Sequence, residues 1–207
     1  MKTPGLVLAS LLVAAACPVA QAGDPPNFDF LGHVVSVPAA TGQLLVMYGV
    51  INNNGVVPTP IPLDFQNAEH TLVVEGTLAS TAGSSQSYAP TTVRIYSDLG
   101  PSTLHDFATP STFTDGILIL AGDVSGSLTR LVFSSTLGSF VGSVLWTGGV
   151  RLGELAENTS GWAFGGGWSR QTLRPVGYQE TWDGKVDQAV IAVQATTWGG
   201  VKALYRP

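Results

Sequence analysis

The sequence predicts a single all-β domain, an antiparallel β-sandwich or β-barrel of about 8–10 short strands, behind a cleaved signal peptide. Three observations carry this. Runs rich in Val, Ile, Leu, Tyr and Thr recur about every ten residues with glycine turns between them, the pattern of a sandwich or barrel. No stretch of about 12 residues beyond the signal region carries the stripe of an amphipathic helix. Charged residues make up only 11% of the 207-residue chain, against about 25% in an ordinary soluble domain.

In chain order, Lys2 precedes an apolar run over 5–17, then Pro18 and the small-residue stop Ala20-Gln21-Ala22. A basic start, a short hydrophobic core and an A-x-A site make 1–22 a secretory signal peptide of bacterial type. The run is too short for a membrane span, which needs about 20 residues. The mature domain is 23–207, exported to the periplasm, the exterior or the cell surface. Cys17 is the only cysteine, so cleavage after Ala22 leaves a cysteine-free chain. That excludes a disulfide scaffold, thiolate catalysis and a cysteine zinc site. Lipidation at Cys17 is not expected, because Ala14-Ala15-Ala16 lacks the leucine of a lipoprotein signal.

Strands are expected at 31–37, 43–51, 70–79, 92–97, 116–122, 127–135, 139–146, 161–168, 178–182 and 188–198. Turns are expected at Thr41-Gly42, Asn54-Gly55, Ala82-Gly83, Asp115-Gly116, Ser125-Gly126, Leu137-Gly138 and Asp183-Gly184. Asp183-Gly184 has the composition of a tight hairpin turn. Pro58, Pro60 and Pro62 alternate, and each lacks an N–H, so that stretch reads as extended chain crossing an edge or end of the sheet. Residues 52–55 and 80–89 read as exposed loops, and the best helical fragment, 151–157, is about two turns at most.

Removing Lys2 leaves eight basic residues against fourteen acidic, a net charge of −6 for the mature chain. No basic footprint exists for nucleic acid. No Lys or Arg falls between Lys2 and Arg94. That is either chance in a charge-poor chain or an acidic half that meets a basic surface on a neighbouring copy.

All five tryptophans lie between Trp146 and Trp198. In Gly161-Trp162-Ala163-Phe164-Gly165-Gly166-Gly167-Trp168, strand alternation puts Trp162, Phe164 and Trp168 on one face. That face is either a packed core or a row of rings for stacking on a polysaccharide or a flat apolar ligand, with Arg170 or Arg174 as polar anchors. His33, His70 and His105 show no metal-ligand spacing, and no G-x-S-x-G elbow marks a nucleophile. Asp98, Asp106, Asp115 and Asp123 recur every eight or nine residues. Turn chemistry explains Asp115 and Asp123 without calcium. Asn158-Thr159-Ser160 fits a glycosylation acceptor but reads as an ordinary loop.

The reading is therefore an exported, non-enzymatic β protein acting as a binding module or a structural component of a surface assembly. No catalytic residue, metal or cofactor is assigned. Low charge would let copies associate edge to edge. Two alternatives compete. One is a secreted hydrolase-like barrel using His105 and Asp106, or a carboxylate pair among Asp98, Asp115 and Asp123. The other is a small outer-membrane barrel, disfavoured by strands shorter than the roughly 9–11 residues of a spanning strand.

Overall fold

The computed structural model describes residues 26–52, 58–100, 104–155, 161–170 and 174–188. The signal peptide with Cys17, the Asn54-Gly55 turn, the Asn158-Thr159-Ser160 segment and all but the first residue of the expected strand 188–198 lie outside these residues.

Nine strands are present among the described residues: β1 (Asn27–Val34), β2 (Leu44–Ile51), β3 (Ala68–Ala82), β4 (Ser85–Leu99), β5 (Ile117–Val124), β6 (Leu128–Val132), β7 (Leu137–Gly148), β8 (Trp162–Ser169) and β9 (Glu180–Asp187). All pairings are antiparallel, and β1 pairs with both β2 and β9. β5 and β6 lie end to end against β4 and β7, so they form one stave broken at Ser125-Gly126-Ser127. The sheet thereby closes into an eight-stave up-and-down barrel. Closure gives each described strand a partner on both sides, which removes the open edges of a flat sheet.

Alternation explains which residues fill the barrel. Phe28 and Phe30, Leu45 and Met47, Leu72 and Val74, Phe140 and Val144, Trp162 and Phe164, and Trp182 and Val186 all point inward and are buried. An eight-stranded barrel has an interior just wide enough for side chains, and here rings fill it. Phe140 stacks on Trp182 with centroids 4.2 Å apart, and Phe30 on Phe164 at 5.7 Å. Room for the Phe140 ring comes from Gly184, where a Cβ would lie 2.6 Å from Phe140 Cζ. At Gly138, a Cβ would stand 2.5 Å from the Trp168 indole.

Three local expectations are corrected. Leu137-Gly138 is no turn but the start of β7, with Gly138 paired to Val132 and Trp168 and the bend lying at 133–136. Asp183-Gly184 is no hairpin turn: β9 runs straight through it, paired along its whole length with β1 and over most of it with β8. The alternation Glu180, Trp182, Gly184, Val186 keeps the inward face continuous, and two ladders of backbone hydrogen bonds outweigh a local turn preference. The 80–89 segment is no loop either. β3 and β4 continue through it to pair Ala82 with Ser85 around a two-residue turn in which Gly83 has φ +59°. Of the 151–157 fragment, the described residues 151–155 hold a short 3-10 turn, Leu152–Glu154.

The proline stretch does cross an end of the barrel. Pro58 O accepts from Asn27 N at 3.1 Å, and Ile61 is fully buried in the core. At this end lie the starts of β1, β3, β5 and β8, together with His70. At the other lie the starts of β2, β4, β7 and β9, together with Arg130. Along the outer wall, residues 104–116 form a strap. Its Phe107 and Phe113 rings cover His33 and Tyr48 at centroid distances of 4.8 and 5.3 Å. Thr71 Oγ1 donates to Phe113 O, and Tyr178 OH to Phe107 O.

Candidate functional site

At the Arg130 end the inward alternation delivers charge into a hydrophobic barrel. Arg130 follows Leu128 on β6, and Glu180 precedes Trp182 on β9. Their side chains are 2% and 0% exposed. A buried ion pair recovers its desolvation only when further hydrogen bonds satisfy both partners, and here they do. Glu180 Oε2 accepts from Arg130 Nε at 3.0 Å and from Trp182 Nε1 at 3.2 Å. Its Oε1 accepts from Arg130 Nη2 and, at 3.1 Å, from Arg170 Nε.

The remaining Arg130 donor, Nη1, reaches Gln86 Oε1 at 2.9 Å, which also accepts from Tyr88 OH at 3.0 Å. Burial pushes the Tyr88 hydroxyl up to about 12, so it stays protonated and donates. Gln86 Nε2 donates to Pro38 O at 3.1 Å, tying the network to the β1–β2 connection. The Arg130 guanidinium lies 3.8 Å from the centre of the Trp168 ring, a cation–π contact. The indole N–H donates to Leu131 O at 2.9 Å.

Above this network opens a cavity of about 330 Å³, lined among others by Gln86, Arg130, Trp168, Arg170, Ser134 and Gln179. Two guanidiniums share one carboxylate, so the cluster carries a net positive charge. Arg170 differs from Arg130: its side chain is 43% exposed, and among the described residues only its Nε has a hydrogen-bond partner. Its terminal nitrogens therefore remain available to an incoming acceptor. A planar guanidinium of this kind suits carboxylate or phosphate oxygens.

The structure divides the residues singled out by sequence. Trp168 and Arg170 meet at this mouth. Trp162 and Phe164 share the inward face with Trp168 but lie deep in the packed interior, fully buried. Trp162 sits at the far end, its ring 6.3 Å from that of Phe28. Arg174 is elsewhere again, donating from Nε to Tyr178 O at 3.2 Å and adding to the burial that holds the His33 imidazole below its ordinary range.

His105 Nδ1 lies 2.5 Å from Glu69 Oε1. Asp106 faces its own turn instead, accepting from Ala108 N and Thr109 Oγ1. Among the described residues no three His, Cys, Asp or Glu side chains converge as metal ligands do.

Arg130, Glu180 and Gln86 were not singled out by sequence. A signal existed: Arg130 and Glu180 are charges standing in phase with apolar neighbours. That phase says a charge points inward, but the partner's identity depends on closure of the barrel. Compared with protein-family models, curated proteins and solved structures, the chain matches none.

Proposed function

We propose that this chain is an exported, non-enzymatic binding module that holds an anionic, hydroxyl-bearing ligand, such as an acidic polysaccharide unit, at the Arg130 end of the barrel. The observation carrying this reading is the half-exposed Arg170 guanidinium, anchored by its Nε to a fully buried carboxylate. Anchoring pre-orients the cation, so less freedom is lost when an acceptor docks. Ser84, Ser134 and Gln179 around the cavity supply neutral hydrogen-bonding groups suited to sugar hydroxyls.

The chemistry of the mouth supports binding over turnover. Glu180, its only carboxylate among the described lining and network residues, is held by four N–H donors, leaving no free base there. The polarity of the wall supports an aqueous setting over a spanning barrel. A membrane barrel carries its apolar band outside and polar groups within. Here Phe28, Phe30, Phe140, Trp162, Phe164 and Trp182 are inside, while Asp29, Glu75, Arg94, Asp183 and Lys185 interrupt the outer face, among exposed Leu31, Leu137, Val141 and Leu145.

Affinity electrophoresis of the 23–207 chain through gels holding polygalacturonate or uncharged dextran tests the reading. Retardation by polygalacturonate alone is expected, weakened by salt and lost in Arg170→Ala with an unchanged circular-dichroism spectrum. No retardation by the acidic polymer, or retardation indifferent to Arg170→Ala, would overturn it.

A further inference from the structure

The opposite end of the barrel holds a buried side chain that the mouth does not explain. His70 stands on β3 in phase with the inward Leu72 and Val74, opposite Ser97 of β4. It is 3% exposed. Neither Nδ1 nor Nε2 has a partner at ordinary hydrogen-bond distance among the described residues; the Asp64 carbonyl, which accepts from Ala68 N, influences the ring only from farther off. Phe65 meets the ring edge-on at 5.0 Å and offers no acceptor. Leaving a buried polar group unpaired costs about 1–3 kcal/mol, so native proteins seldom do so without a use for the group.

His70 lines a cavity of about 220 Å³ whose other walls are mostly apolar, including Leu99, Ile117, Ile119 and Val150. Ser97, Asp64 and Arg151 also line it, and Leu99, Ile117 and Val150 stand at its open rim, each more than half exposed. A mostly apolar recess with a few polar groups is the general form of a small-molecule site, and this one is small for the class. Burial is the main influence on the imidazole and holds it below its ordinary range; Arg151 adds to that, while the Asp64 carbonyl and the Asp64 and Glu69 carboxylates oppose it. At neutral pH the ring is therefore uncharged, with one donor and one acceptor nitrogen. A hydroxyl can satisfy either once the packing around the ring gives slightly, since both nitrogens are closed to solvent as they stand. The cavity offers no open cation for an anion, because Arg151 is engaged with Glu154 and with Pro62 O.

We propose that this cavity is a second binding site, taking a small uncharged alcohol or phenol whose apolar body fills the cavity and whose hydroxyl hydrogen-bonds to His70. The volume is roughly that of seven waters at about 30 Å³ each, enough for a single-ring ligand. The site stands apart from the mouth and does not depend on its assignment.

Benzyl alcohol and toluene form the probe pair, since they share a ring and differ in the hydroxyl. The 23–207 chain carrying ¹⁵N-histidine would be titrated with each, following the His70 ring nitrogens by NMR. Benzyl alcohol should shift the His70 resonances saturably and bind at least about tenfold more tightly than toluene, the worth of one hydrogen bond. His70→Leu should abolish that discrimination, while Arg170→Ala should leave it intact. Resonances indifferent to benzyl alcohol would mean that the cavity holds only water, and would overturn the proposal. So would equal affinity for toluene, or discrimination surviving in His70→Leu. If the leucine variant does not fold, the probe pair on the unsubstituted chain still decides the matter.

Discussion

At the Arg130 end a carboxylate with no exposure is met by four N–H donors, whereas at the His70 end an imidazole almost as buried meets none among the described residues. The two residues reach the interior by the same route, an inward position on a strand. Their chemistry sets them apart. A carboxylate keeps its charge only if desolvation is offset, so Glu180 forces a network of Arg130, Arg170 and Trp182 around it. An imidazole can shed its charge, and a neutral ring survives unpaired at a cost of about 1–3 kcal/mol. One end is thus polar and satisfied, the other apolar and left with hydrogen-bonding capacity. Trp146 adds to the contrast, since its buried Nε1 is also without a partner among the described residues.

The hardest break is Glu180→Ala. It strands the Arg130 guanidinium inside the barrel, and a loss of about 3–5 kcal/mol is expected from the urea midpoint. The double variant Arg130→Met/Glu180→Leu should recover most of that loss, because apolar replacement removes both desolvation penalties. If the single variant cost less than about 1 kcal/mol, water would be reaching the pair and the contrast between the ends would fail.

A middle-sized effect is expected at the other end, with a pH signature. Burial lowers both His70 and His33 below the ordinary value near 6.5. The unfolded chain then binds more protons than the folded one just below that pH, so stability rises with pH there. It should be complete above pH 6.5 and decline as the pH falls below it. His70→Leu should stabilise the domain by about 1 kcal/mol at pH 7.5 and flatten this decline, leaving the His33 share. Denaturant titrations at pH 7.5 and 5 measure both; an unchanged slope would mean that His70 is not desolvated.

The smallest effect separates ligand from scaffold at the mouth. Arg170→Ala should cost under about 1 kcal/mol, because the side chain is half in solvent and Glu180 keeps its other three donors. A loss near that of Glu180→Ala would make Arg170 part of the scaffold instead of a ligand-facing group.

Much of the architecture was legible in the sequence. Val, Ile and aromatic alternation marked most strands, Ser125-Gly126 marked the break between β5 and β6, and the even spacing of Trp162, Phe164 and Trp168 put them on one face, as found. The Asp183-Gly184 misreading shows the limit: a two-residue preference yielded to a register set by strands from both ends of the chain. The Ser- and Thr-rich 80–89 run looked like a loop because the hairpin there extends beyond the apolar interior and is built mainly of polar residues, with Tyr88 the buried exception. At the mouth, Trp168 and Arg170 were legible as ring and cation. Arg130 and Glu180 were not, because strands distant in sequence bring them together. His70 was visible only as one of three scattered histidines, since its isolation is a property of the packed interior.

The pairing of β1 with β9 has a consequence for how the molecule assembles. Most other staves meet a neighbour close in sequence, so most of the wall can form progressively as a meander. The seam alone joins the two ends of the described chain, and such a contact carries the largest loop-closure entropy. During synthesis β9 emerges last of the described strands, and until it arrives β1 and β8 are open edges able to recruit the same strands from another nascent copy. Glu180 is the first residue of that closing strand. The carboxylate that neutralises Arg130 is therefore delivered by the step that shuts the barrel, which couples charge matching in the interior to closure of the wall.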